Sequence, residues 1–245
     1  STFNSAESDF YRRSSGSLGG KARGLGFAKS MINYSDIKNK FKNFKILVPR
    51  SAIIGTDEFD RFMKDNELWE IALSDISDEK LQTYFLNARI SIDLILKLES
   101  FIKENKYPIA VRSSSLLEDS QYQPLAGTYE TIMLSNNSQS NKKRLNELIE
   151  SIKIIYASTF KGEARALLKN TAHRIEEEKM AILIQEVVGI EHKNKRFYPT
   201  FSGVLQSINY YPVSYMKRDE GVAYLALGFG KTIADGEKCM RISPK

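Results

Sequence analysis

The chain has 245 residues, of which 42% are hydrophobic and 27% charged, with a formal net charge of +6. At a prior of ~150 residues per domain this is one large domain or two closely joined lobes, with apolar content enough for a substantial core. The single cysteine, Cys239, excludes an internal disulfide, and no apolar run approaches the ~20 residues of a membrane span. No membrane partner is therefore expected, and the cytoplasm is the expected compartment. Basic runs at 38–45, 141–144 and 192–196 are interleaved with acids elsewhere. They suit a polyphosphate ligand as well as a polyanionic partner, and without an aromatic-basic stacking motif nucleic acid is not expected. The first twenty residues lack the charged-then-apolar order of a signal peptide and an initiator Met. They read as an internal segment of a longer protein or as the start of a fragment.

In chain order, Leu25, Ala28, Met31 and Ile32 recur at helical spacing after Gly19-Gly20, which predicts a loop-to-helix junction over 21–33. The run "FKILVPRSAII" reads as strand, proline break, strand. Thr56, followed by Asp57 and Glu58, is an expected N-cap for a helix through Met63. Two amphipathic helices are expected over Leu81–Ile90 and Ile92–Ile102. A strand–loop–strand unit then covers "IAVRSSSLLEDSQYQPLAGTYETI", residues 109–132. From Asn141 to Phe160 apolar residues recur every three or four positions, the clearest helix pattern in the chain. A further helix is expected over Glu163–Glu178. Apolar or alternating runs at 180–188, 200–208 and 222–230, and a weaker one near 239–243, read as strands. Strands joined by short connections late in the chain predict mostly antiparallel sheets and an α+β class, not a Rossmann alternation.

Two stretches carry chemistry. "SLGGKARGL" puts flexible glycines and Lys21 at the start of a helix, where backbone N–H groups favour an anion. Taken alone, a surface lysine on a plain helix start reads equally well or better, and the P-loop spacing is absent. Arg112 ends an apolar strand and needs an anionic partner when partly desolvated. That partner is either a nearby carboxylate, Glu118 or Asp119, or a phosphate gripped by the planar fork of donors. Ser113 to Ser115 add hydroxyls beside it, and Ala126-Gly127-Thr128 allows close backbone approach to a ligand.

The ordered set "GGKARGL", "VPRSAIIGTDEF", "IAVRSSSLLEDSQYQPLAGTYET", "IYASTF", "MAILIQEVVG", "SGV" and "LGFGKTIADG" resembles the N-terminal nucleotide-binding domain of the phosphoenolpyruvate synthase and pyruvate phosphate dikinase family. The resemblance covers about residues 17–244. It implies an ATP-grasp-like fold with two lobes, mostly antiparallel sheets and flanking helices, following an N-terminal extension over 1–16. On this reading a front lobe takes about 17–135, a helical connection about 141–178 and a back sheet about 180–245. ATP is the implied cofactor, with Mg²⁺. Matched motif by motif, Lys21 and Arg112 would contact phosphates beside Ser113. Gly127, Thr128 and Thr131 would belong to a phosphate-covering loop, and Gln185, Glu186 and Val188 would lie beside adenine. Ordinary strand alternation is the competing account of Gln185 and Glu186.

The sequence also departs from the family. "SGV" continues as "LQSINYYPV". Lys231 and Tyr224 stand where the family carries acids that help hold the metal, with Asp235 and Glu237 as nearby candidates for a relocated ligand. His173 and His192 both read as solvent-facing, and neither lies in the glycine- and threonine-rich context of the family's phosphorylated histidine. Two functions follow. One is the ATP-binding domain of a phosphotransferase that passes phosphate to a histidine on a separate domain, with the substrate-binding domain also elsewhere. The other is a degenerate module that binds nucleotide as a regulatory element without catalysis.

Overall fold

Three short strands with apolar residues on both faces form the middle of one sheet. A computed structural model describes residues 10–12, 15–41, 43–115, 129–168, 177–213, 215–234 and 236–244. The chain divides into two units, Ser1–Val187 and Val188–Lys245. In the first, the order is β1 (Phe10–Arg12), α1 (Gly19–Tyr34), α2 (Ile37–Lys40), β2 (Ser51–Ile54), α3 (Thr56–Asp65), α4 (Leu68–Leu73) and α5 (Asp78–Asn87). There follow α6 (Ile92–Glu104), β3 (Ile109–Ser114), β4 (Thr131–Leu134), α7 (Asn141–Ser158), α8 (Gly162–Leu168) and β5 (Ala181–Glu186). The strands lie in the order β1-β2-β5-β3-β4, and every pair except β1–β2 is antiparallel. Helices with mostly antiparallel sheet make the class α+β, as expected.

The period of two gives this sheet two different faces. Ala52, Ile54, Ile109, Val111, Ile182 and Ile184 join one core with side chains of α3 to α8. The intervening Ile53 and Leu183 pack instead with Ala22 of α1. Phe59 centres the larger core, its ring 5.1 Å from Tyr156, 6.1 Å from Phe160 and 6.4 Å from Trp69. Burial, and then the carboxylates of Glu58, Asp57 and Asp60, push the Tyr156 hydroxyl well above its ordinary pKa, so it stays protonated. Ser77, Ser91 and Ser140 cap α5, α6 and α7, each accepting from a first-turn N–H.

The approach to β3 is held by a buried arginine. Arg144 of α7 is 1% exposed. Its Nη1 donates to the Asn105 carbonyl at 2.9 Å and to Asn136 Oδ1 at 3.1 Å, and its Nη2 donates to Asn141 Oδ1 at 2.7 Å. Asn136, at positive φ, donates in turn to the carbonyls of Asn105 and Tyr107. The chain just before β3 is thereby tied to α7 through neutral oxygens.

The second unit holds a hairpin of β6 (Ile190–His192) and β7 (Arg196–Tyr198). It also holds an antiparallel sheet in the order β10-β9-β8, from β8 (Phe201–Gln206), β9 (Val222–Leu227) and β10 (Met240–Ile242), with α9 (Lys231–Ala234) between the last two. Among the described residues no helix is long and apolar enough to cross a membrane.

Several expectations change. The run at 180–188, grouped with the back sheet, supplies β5, which hydrogen-bonds between β2 and β3 of the first unit. Its uninterrupted apolar character suits a strand covered on both faces. Residues 44–50 form no strand, and Phe44 and Leu47 there are exposed. Thr56 is the first residue of α3 and not its cap, because its hydroxyl accepts the Ser17 N–H at 3.0 Å. His192 is stacked on Tyr198 at 3.6 Å and only partly exposed. His173, and residues 169–176 of the helix expected over 163–178, lie outside the described residues. The strand β1, the helix α4 and the β6–β7 hairpin were too short to register as periodic segments.

Arg144→Met should lower stability by roughly 1–3 kcal/mol for each buried acceptor left without its donor. Urea unfolding followed by the fluorescence of the sole tryptophan, Trp69, would measure this.

Candidate functional site

The glycine-rich segment before α1 is docked at two places. Ser15 donates from both its amide and its hydroxyl to Asp57 Oδ2, at 3.0 and 2.5 Å. The Thr56 N–H donates to the Ser17 carbonyl at 3.0 Å. At the other place, the Gly20 N–H donates to the Ser115 carbonyl at 2.9 Å and the Ala22 N–H to Ser114 Oγ at 3.2 Å. Ser114 Oγ itself donates to the Leu18 carbonyl at 2.9 Å. Ser113, Ser114 and Ser115 are all fully buried. Much of the run of hydroxyls and carbonyls leaving β3 thus satisfies the first turn of α1.

This contact explains one glycine. Gly19 has φ +72° and lies so close to β3 that a Cβ there would overlap the Ser114 carbonyl oxygen. Two N–H groups that a free helix start would offer to an anion, those of Gly20 and Ala22, are already used. What α1 contributes beside the strand is the Lys21 side chain, whose Nζ donates to Ser113 Oγ at 3.2 Å.

Arg112 is the next residue back along β3. Its cross-strand partners are Thr131 on β4 and Leu183 on β5. Parity puts Arg112 on the sheet face shared with Leu183 and Ala22, away from the larger core. One row along, Ala110 pairs with Gln185 and with Met133. Across that diagonal, Arg112 Nη1 donates to Gln185 Oε1 at 3.2 Å. Its Nε is buried with no hydrogen-bond partner. Arg144 and Arg241 also have a buried Nε of this kind, but their guanidiniums donate to three and two protein oxygens respectively. Among the described residues the Arg112 side chain makes a single hydrogen bond and pairs with no carboxylate, so it keeps donors for an oxyanion.

The structure therefore brings Arg112, Thr131 and Gln185 to one face of the sheet in the first unit, while Ser113, the next residue along β3, takes the opposite face by parity and accepts from Lys21. Thr131 is exposed, whereas Gln185 is 9% exposed. Glu186 does not share the Gln185 face. It pairs with Ile109, and its carboxylate lies 3.8 Å from Arg50 in a part-exposed ion pair of small energetic weight. Val188 belongs to the second unit and is 59% exposed. Gly127 and Thr128 lie outside the described residues, as do Glu118, Asp119 and Asp235.

The link between Arg112 and Gln185 did not emerge from motif reading, because the two are 73 positions apart. Only the antiparallel register of β3 on β5 makes them diagonal neighbours. Ser15, Ser17, Thr56 and Asp57 were also unmarked as anchors, since Thr56 and Asp57 read as a helix start and the contacts span about forty positions.

The donors of Arg112 and Lys21 suit an oxyanion. A divalent cation finds no comparable set here: among the described residues no three His, Cys, Asp or Glu side chains gather to hold one. Tyr224 lies under the Arg241 guanidinium, 5.5 Å from ring centroid to Cζ, and Lys231 opens α9 as an exposed residue. Neither offers a carboxylate.

Residues 15–240 match the family described as pyruvate phosphate dikinase, AMP/ATP-binding domain. The chain is 30% identical over 192 residues to the protein named Uncharacterized phosphotransferase YvkC from Bacillus subtilis (strain 168). That alignment covers 77% of this chain and 20% of the relative, so the chain spans about one fifth of that protein's length.

Gly19→Ala should cost about 1–3 kcal/mol from the left-handed backbone alone, with the overlap on Ser114 added. Faster hydrogen exchange at the Gly20 and Ala22 amides would report the loosened contact, and unchanged exchange would argue against it.

Proposed function

The chain belongs to the pyruvate phosphate dikinase AMP/ATP-binding domain family, and on that premise we propose that it binds ATP with the phosphates at Arg112. The observation that carries this reading is the unsaturated guanidinium: a partly desolvated cation with one neutral partner among the described residues gains strongly from a phosphate. Lys21 adds a second positive charge next to Ser113, and the exposed Thr131 hydroxyl stands across the strand pair. Gly127 and Thr128 are assigned to the loop over the phosphates, and Glu186 and Val188 to the adenine side, by family resemblance. The ATP-grasp-like description of the fold, and residues 17–245 as one nucleotide-binding domain after an extension over 1–16, rest on the same membership.

Phosphoryl transfer to a histidine on a separate domain is the fuller form of the proposal. It is supported by the family and by the name phosphotransferase given to a relative of which this chain spans one fifth. In that form the chain's own residues bind and orient: Arg112 and Lys21 fix the phosphates and neutralise charge as it develops. A divalent cation, when bound, supplies further neutralisation across the phosphates. No step is assigned to it, since the described acids form no site.

That same observation favours a second reading. With Tyr224 and Lys231 in place of acids, nucleotide binding is retained as a regulatory function without transfer.

Calorimetric titration with ATP, with and without Mg²⁺, tests both. Arg112→Ala should weaken ATP binding by about 1.5–3 kcal/mol, the value of a hydrogen bond to a charged group. Affinity that rises with Mg²⁺ supports the transferase, and affinity indifferent to it supports the regulatory module. Unaltered affinity in a folded Arg112→Ala variant would remove the phosphate role.

A further inference from the structure

We propose that Gln185 is a positioning residue, which aims the Arg112 guanidinium at the phosphates and does not read the base. The inference deepens the ATP-binding reading above and rests on it.

A guanidinium at the end of a long side chain gains specificity only when its plane is held. Among the described residues one hydrogen bond holds the Arg112 guanidinium, that from Nη1 to Gln185 Oε1. The pairing is built into the sheet. Gln185 stands opposite Ala110 on β3, two residues before Arg112 and on the same face. Alanine at position 110 leaves the diagonal clear, so the arginine stem can lean along the strand toward Gln185. A residue-long slip of β5 would turn Gln185 to the other face and end the contact.

The glutamine is also enclosed. Gln185 is flanked by Ser51 on β2 and Ala110 on β3, in the strand at the centre of the sheet, and is 9% exposed. A side chain so placed is a rigid acceptor. Glutamine also suits the task better than an acid: a carboxylate would neutralise Arg112 and compete with phosphate for its donors. A neutral oxygen orients the cation and leaves its charge for the ligand. The Nε–H, buried and without a partner, then sits in a guanidinium whose plane is already fixed. Strand β3 is itself held at both ends, by Arg144 and Asn136 before it and by Gly20 and Ala22 after it.

A double-mutant cycle on the whole chain separates positioning from direct contact. Gln185→Met keeps the length of the side chain and removes the acceptor. It should weaken ATP binding about tenfold when Arg112 is present, the loss expected for one hydrogen bond to a charged group. In an Arg112→Met background the same substitution should change ATP affinity by less than about twofold, because the partner it acts through is gone. Adenosine, which lacks phosphates, should bind wild type and Gln185→Met alike. Nitrogen NMR without nucleotide gives an independent reading, in which Arg112 guanidinium rotation is slow in wild type and fast in Gln185→Met. Equal losses in both backgrounds, or a matching loss for adenosine, would assign Gln185 to the base and overturn positioning. Failure of wild type to bind ATP, with slow Arg112 rotation intact, would instead overturn the ATP reading while leaving the Arg112–Gln185 link standing.

Discussion

The register of β3 against β5 governs the first unit. With Val111 opposite Ile184, Ile109 and Val111 of β3 and Ile182 and Ile184 of β5 enter the aromatic and aliphatic core. The residues between them cannot enter it, and so Arg112 and Gln185 meet on the other face. Burial of the apolar set fixes this pairing far more strongly than any polar contact does. The position of the arginine is thus a by-product of core packing, which makes it stiff.

Two arginines in this unit show how environment divides the work of one side chain. Arg144 is 1% exposed and is shared among three neutral oxygens that join a loop to a helix. Among the described residues Arg112 has one neutral oxygen, and it remains partly accessible. The fold uses most donors of the first, whereas the second keeps donors for the anion proposed above. Lys21 reaches the same strand end only because α1 is laid against it through Gly20 and Ala22. Chemistry and architecture therefore share one short stretch, residues 112–115.

Helices α5, α6 and α7 were legible from their amphipathic periods alone. Strands β3, β5, β8 and β9 were legible from their apolar runs. The partnership of β5 was not, since a doubly covered strand carries no mark of its neighbours, and the run was grouped with later strands. The same limit hid the diagonal from Arg112 to Gln185, which exists only in register. Gly19-Gly20 was legible as a junction. That its first glycine serves contact with a carbonyl of β3 depends on a segment nearly a hundred residues away, which no local pattern records. Arg112 stood out because a charge that follows a core apolar run is costly, although β3 continues past it to Ser114.

The sheet's spatial order, β1-β2-β5-β3-β4, has a consequence for how the protein is made. Its central strand is the last of the five in sequence, beginning at Ala181. As a ribosome extrudes the chain, β3 can pair with β4 early, but β2 and β3 remain separated by a gap one strand wide. Until β5 emerges, both present unpaired backbone, and the apolar residues of their core face lack a neighbour. The helical side of the unit can gather first by local contacts, while the sheet closes only by a long-range insertion of the slow kind. The interval between residues 114 and 181 is therefore the window in which a nascent chain is most exposed to wrong strand partners.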